Sequence, residues 1–110
     1  MSKRIQRFAP TLKLLCKLNY PRKQRWLEKN LDNALILCFC ECALNVLKGN
    51  VTLDSKQKKM LAKYKEELRL LADRETPIKT KKKIIQDGGF IGLLLGPIVS
   101  ILDELLGTNK

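Results

Sequence analysis

The residues of this chain with the greatest capacity for chemistry are its four cysteines, because thiolates bind zinc and attack electrophiles. Cys38, Cys40 and Cys42 alternate along one apolar stretch, and Cys16 lies upstream. Zinc ribbons place two cysteines in a C-x2-C turn, whereas helix positions two apart point about 200° away from each other. Only Cys38 and Cys42 would share a helical face. We therefore predict no metal site and no cofactor, and interpret the cysteines as small, reduced, buried side chains.

The chain contains no histidine, which removes the usual general base near neutral pH and the commonest metal ligand. We therefore predict a protein that is not an enzyme. Its 110 residues include 22 Lys and Arg against 11 Asp and Glu, a formal net charge of +11. Polyanions are the natural partners of a small body with this charge.

Basic residues concentrate in residues 1–30 and again in residues 79–83. Residues 1–30 contain nine basic residues and one acidic residue, Glu28. Phosphate groups suit both segments. The predicted nucleic-acid contacts are Lys3, Arg4, Arg7, Lys13, Lys17, Arg22, Lys23, Arg25, Lys79, Lys81, Lys82 and Lys83. No motif for base-specific readout accompanies them, so binding should be non-specific and weaken steeply with salt. Tyr20 and Trp26 lie among these bases and could stack or anchor the helix, and for Trp26 we favour anchoring.

Hydrophobic periodicity predicts an all-α fold, a small helical bundle or hairpin of three main helices with a basic amino-terminal arm and an apolar carboxy-terminal helical tail. A short amphipathic helix interrupted by Pro10 should occupy the arm. A second helix should run over residues 21–48, and a third from Ser55 to about Arg74 after an Asp54-x-x-Gln57 capping box. A basic helix from Lys79 and a final helix over residues 90–106 should follow. The predicted regions are the arm (1–20), a helical body (21–78) and a Lys-rich hinge with an apolar Gly-Gly tail (79–110).

The second predicted helix is apolar nearly all round between residues 34 and 47, so it must be covered on several sides. The chain looks too small to cover it alone, which suggests a homo-oligomer.

The tail begins at the Gly88-Gly89 pair and carries no charge until Asp103. That stretch is 15 residues long, below the roughly 20 that span a bilayer. We therefore expect an interfacial or partner-buried segment, whose predicted contacts with membrane or partner are Phe90, Ile91, Leu94, Leu95, Ile98, Val99 and Leu102. Alternatively, the tail packs back on the second helix and completes the core.

The junction of three lysines, Gly88-Gly89, the aliphatic stretch over residues 90–96 and Pro97-Ile98 resembles the precursor of the adenoviral core protein mu. A longer set of segments resembles small proteins of Polinton (Maverick) elements and adintoviruses. These segments are residues 41–50, Gln57-Lys58, residues 68–72 and Gly88-Gly89-Phe90.

The resemblance implies a virion protein that binds and condenses double-stranded DNA, in the virion or the host nucleus. It also implies that an adenovirus-type cysteine protease removes a carboxy-terminal peptide. Such proteases favour a Gly-Gly pair preceded two positions earlier by an aliphatic or amide residue. The implied site, cut after Gly89, consists of Gln86, Asp87, Gly88, Gly89 and Phe90.

Two other classes of function stay open. A membrane-active interfacial protein would bind anionic lipid through its lysines and the apolar tail. A helical oligomeric scaffold would be built on the second helix. The tail could also contact a capsid protein, and outside a virion we expect an intracellular location, because a basic start broken by Pro10 does not resemble a secretory signal.

Overall fold

The computed structural model describes residues 2–87 and 89–106, with side chains over 2–86 and 89–103. Within those ranges the protein is all-α, as predicted, with eight helices and no strand. The helices are α1 (Lys3–Arg7), α2 (Ala9–Lys17), α3 (Tyr20–Asn30), α4 (Asn33–Leu47), α5 (Ser55–Ala62), α6 (Lys65–Ala72), α7 (Ile78–Asp87) and α8 (Ile91–Leu106).

The predicted continuous helix over residues 21–48 is wrong, because the chain breaks at Leu31 and Asp32. Asp32 has extended backbone angles, and its carboxylate accepts a hydrogen bond from the Leu35 amide at 2.9 Å. An aspartate in this position satisfies an amide that the first turn leaves without a partner, so it begins a new helix. The result is two separate helices, α3 and α4.

The third predicted helix begins as expected and then divides. Asp54 accepts a bond from the Gln57 amide at 2.7 Å while the Gln57 side chain accepts one from the Asp54 amide at 3.0 Å, which confirms the capping box. α5 nevertheless ends at Ala62, and α6 begins after Tyr64. The Tyr64 ring stacks on Phe90, with ring centroids 5.1 Å apart. The break therefore coincides with a contact between residues distant in sequence.

Asp54→Ala is expected to lower the free energy of unfolding by about 1 kcal/mol, because it removes the acceptor of the capping box. Chemical denaturation followed by circular dichroism measures the loss. Asp54→Asn is the matched control: it keeps the acceptor and should change stability by only a few tenths of a kcal/mol, roughly. An equal loss in both variants would show that charge, and not capping, matters at this position.

α4 forms the centre of the core. It contacts α1, α6, α7 and α8, so the chain by itself covers part of this helix. Its buried side chains are Leu35, Ile36, Cys38, Phe39, Cys40, Cys42 and Ala43. Leu37, Leu44 and Leu47 stay exposed. Self-association remains a prediction, but covering the buried face of α4 does not require it.

The apolar tail folds back over the rest of the chain. α7 and α8 meet at 94° across the glycine pair, and α8 contacts α2, α4 and α5. This packing is the alternative in which the tail completes the core. Within the described ranges, no single helix is long and apolar enough to cross a membrane. By length and composition alone, α7 and α8 pass this test together as a bent pair.

Candidate nucleic-acid interface

α3 presents three cationic side chains beside an open groove. Arg22, Arg25 and Lys29 are spaced by three and four residues, which places them along one face of the helix. The groove has a volume of about 500 Å³ and is lined by Leu18, Arg22, Arg25, Trp26, Lys29 and Asn30. All these lining residues are neutral or basic. We call this surface the α3 groove.

The local sequence fixes the helix that carries the α3 groove. Asn19 caps α3 by accepting a hydrogen bond from the Arg22 amide at 3.2 Å, and Pro21 lies in the first turn. At the other end, the Asn30 side chain donates to the Trp26 carbonyl at 2.9 Å. Leu27 is fully buried. The backbone of α3 is thus anchored to the core while its cationic ends reach solvent.

A second basic cleft lies between α1 and α4. It has a volume of about 310 Å³ and is lined by Lys3, Arg4, Arg7, Phe8, Ala34 and Leu37. Arg4 also pairs with Glu41 on α4 at 3.3 Å, and the Ser2 hydroxyl donates to the same carboxylate at 3.0 Å. These contacts fix α1 against α4. We call this surface the α1 cleft.

The remaining predicted contacts of the first 25 residues lie apart from these two surfaces. Lys17 is exposed. Lys13 pairs with Asp103 on α8 at 2.6 Å, with about a quarter of each side chain accessible. The Lys23 ammonium lies over Gly92, since a Cβ added there would come within 2.8 Å of the Lys23 nitrogen. Lys13 and Lys23 thus connect α2 and α3 to α8.

Lysines of α7 divide between surface and core. Lys79, Lys82 and Lys83 are exposed, as a phosphate-binding segment requires. Lys81 is only 5% exposed, and its amine is hydrogen-bonded to the Cys40 thiol, so its assignment as a nucleic-acid contact is corrected. Lys81 lies four residues before the buried Ile85, on the face of α7 that packs on α4.

The four cysteines have free thiols, and Cys38, Cys40 and Cys42 are buried. Burial raises the pKa of Cys16 and Cys40 more than the nearby ammonium groups of Lys23 and Lys81 lower it. A hydrogen bond with Cys38, together with burial, raises the pKa of Cys42 far above its usual range. Both lie in α4, four residues apart, which confirms that Cys38 and Cys42 share a face. Among the described residues no group of His, Cys, Asp or Glu could hold a metal ion.

Gly89 and Phe90 lie in the turn that precedes α8. Gly89 is exposed, but Phe90 beside it is fully buried. The Gln86 carbonyl accepts a hydrogen bond from the Gln24 side chain, and Gln86 is partly buried. Gly88 and the Asp87 side chain lie outside the described part of the chain. A protease must therefore loosen the Phe90 side of this turn to bind it as an extended strand.

The predicted membrane or partner contacts lie inside the protein. Phe90, Ile91, Leu94, Leu95, Ile98 and Leu102 are buried, and Val99 is partly buried against the same core. Their expected role as a surface open to lipid or a capsid protein is corrected, because α2, α4 and α5 cover them in the folded chain.

Sequence reasoning missed Lys29 and Asn30 as members of the α3 groove and favoured a purely anchoring role for Trp26. The spacing of Arg22, Arg25 and Lys29 by three and four residues could have indicated that Lys29 shares a helical face with the two arginines. The groove itself could not be read from the sequence, because its wall includes Leu18, which precedes the helix.

No protein-family model, curated protein or solved structure matches this chain. The likeness to adenoviral and Polinton proteins therefore stays a prediction. Any proposal of function has to rest on the arrangement of the basic side chains.

Proposed function

We propose that this protein binds DNA without sequence specificity, and without enzymatic activity, by pairing phosphates with cations of the α3 groove and the α1 cleft. One observation carries the proposal: the α3 groove brings Arg22, Arg25 and Lys29 together along a groove whose lining residues include no acid. A solvated helix face usually mixes both signs of charge, as α6 does with Glu66 and Arg69.

Phosphate pairing of this kind releases condensed counterions, which makes affinity fall steeply with salt. Arginine suits the task because its planar guanidinium can give two hydrogen bonds to one phosphate. Two basic surfaces on separate helices let one chain neutralise phosphates in two places. This supports the condensing role that we expect of a virion core protein, with exposed Lys79, Lys82 and Lys83 adding charge.

The triple variant Arg22→Gln, Arg25→Gln, Lys29→Gln is expected to weaken binding to a duplex DNA fragment. It should also reduce the slope of log affinity against log salt by about 1 for each lost contact. Fluorescence anisotropy of labelled duplex across a salt series measures both quantities.

The matched control is Lys56→Gln, Lys58→Gln, Lys59→Gln, which removes the same charge from exposed positions of α5. It should leave the slope nearly unchanged. Equal slopes in the two triple variants would mean that net charge alone attracts DNA and that the α3 groove is not a site.

In parallel, the protein is titrated with anionic vesicles. Binding to vesicles without salt-dependent binding to DNA would replace this proposal with the membrane-active alternative, whose apolar contacts would then require α8 to leave the core.

A further inference from the structure

Trp26 is the only tryptophan of the chain, and it lines the α3 groove among the three cations. It is partly buried against the core, whereas Leu27 next to it is completely covered. Tryptophan is seldom completely buried, and the uncovered part of this indole lines the α3 groove. Trp26 thus joins the core to a surface that polyanions would occupy.

The cations alone would bind a phosphate backbone. The indole beside them would contact a second kind of group on the same ligand. Nucleobases stack on aromatic side chains, and a partly exposed tryptophan beside arginines offers such a platform. In a duplex the bases are already stacked inside the helix, and a base must be unpaired to reach a protein side chain.

We propose that the α3 groove binds single-stranded nucleic acid, with an unpaired base stacked on Trp26 and its flanking phosphates paired with Arg22, Arg25 and Lys29. The inference rests on the proposed function and adds a preference for strands with unpaired bases over duplex. In DNA that is mostly duplex, such bases occur at ends and melted stretches.

The experiment compares a single-stranded oligonucleotide with an abasic oligonucleotide of the same length and phosphate number. Binding to each is titrated at fixed salt, and the fluorescence of Trp26 is read directly because no other tryptophan contributes. The intact strand should quench the fluorescence and bind roughly 5- to 150-fold more tightly than the abasic strand, the range for stacking one base.

Three variants test whether Trp26 causes the preference for the intact strand over the abasic strand. Trp26→Leu keeps apolar packing and should bind both strands equally, while Trp26→Phe keeps an aromatic face and should retain part of the preference. Tyr20→Leu is the matched control, since it removes an exposed aromatic residue of the same helix that does not line the α3 groove, and it should leave the preference intact. Anisotropy of a labelled strand measures binding by the variants, because the Trp26 variants contain no tryptophan. Circular dichroism checks that each variant folds.

Equal affinity of the wild-type protein for the intact and abasic strands, with unchanged Trp26 fluorescence, would overturn the inference even if a variant failed to fold. In that case salt-dependent binding of both strands would leave the phosphate proposal standing. Absence of binding to either strand and to duplex at low salt would overturn both.

Discussion

Deleting residues 90–110 is expected to unfold the chain. The deletion removes Phe90, Ile91, Leu94, Leu95, Ile98 and Leu102, each of which is at most 1% exposed. Burying one large apolar side chain stabilises a fold by about 1.5–3 kcal/mol, so six contribute roughly 9–18 kcal/mol. A typical domain is stable by only about 5–15 kcal/mol in total. The truncated chain should therefore lose most of its helical circular dichroism and its cooperative unfolding transition.

Complementation supplies the control for this deletion. A synthetic peptide of residues 90–110 should restore helicity when it is added to the truncated chain, because the surface that α8 covers on α2, α4 and α5 is apolar. A truncated chain that unfolds cooperatively without the peptide would contradict the expectation and would show that the tail is dispensable.

Because the tail completes the core, its deletion is a poor test of function. Loss of DNA binding after deletion of the tail would report unfolding and say nothing about lipid or phosphate, so surface variants of α3 are the sharper probe. Cleavage after Gly89 would leave α8 held only by non-covalent contacts. The cleaved peptide would then stay bound until the helices that cover α8 partly unfolded.

Phe90→Ala is expected to lower the free energy of unfolding by about 3–5 kcal/mol. Phe90 is fully buried, and its ring stacks on Tyr64 at 5.1 Å with 22° between the ring planes. Truncation leaves a cavity and also removes an aromatic pair that contributes about 0.5–1.5 kcal/mol beyond area burial. Urea denaturation followed by circular dichroism measures the change.

Phe90→Leu is the matched control, since leucine keeps most of the apolar volume and should cost on the order of 1 kcal/mol. A double-mutant cycle with Tyr64→Leu separates the ring pair from burial. If Phe90→Ala cost less than about 1 kcal/mol, the typical effect of a point substitution, Phe90 would not belong to the core. The same variant should speed proteolysis at the glycine pair, because Phe90 holds one side of that turn.

The all-α fold class was readable because helical periodicity and capping act within a few residues. The Asp54-x-x-Gln57 box and the Gly-Gly break both involve neighbours in sequence, and both lie at helix ends. The internal breaks at Asp32 and Tyr64 were missed for different reasons. Asp32 is a local cap just before the apolar stretch of residues 34–47, whereas Tyr64 stacks on a ring 26 positions away.

The candidate site was only partly readable for the same reason. Sequence showed that residues 1–30 are strongly basic, but not which cations would share a surface. Lys81 and Lys82 illustrate the limit, since one is buried beside Cys40 and the other is exposed. Their difference depends on which face of α7 packs against α4, and lysine side chains alone do not reveal that face.

By itself, the sequence determined the helical class, the excess of positive charge and the position of the glycine junction, because each depends on composition or on near neighbours. Only the tertiary structure decided that the apolar tail completes the core, that four helices cover α4, and that Trp26 lies in a groove with Arg22, Arg25 and Lys29. These outcomes depend on contacts between residues far apart in the chain. An apolar helix carries the same pattern whether it meets lipid, another protein or its own chain.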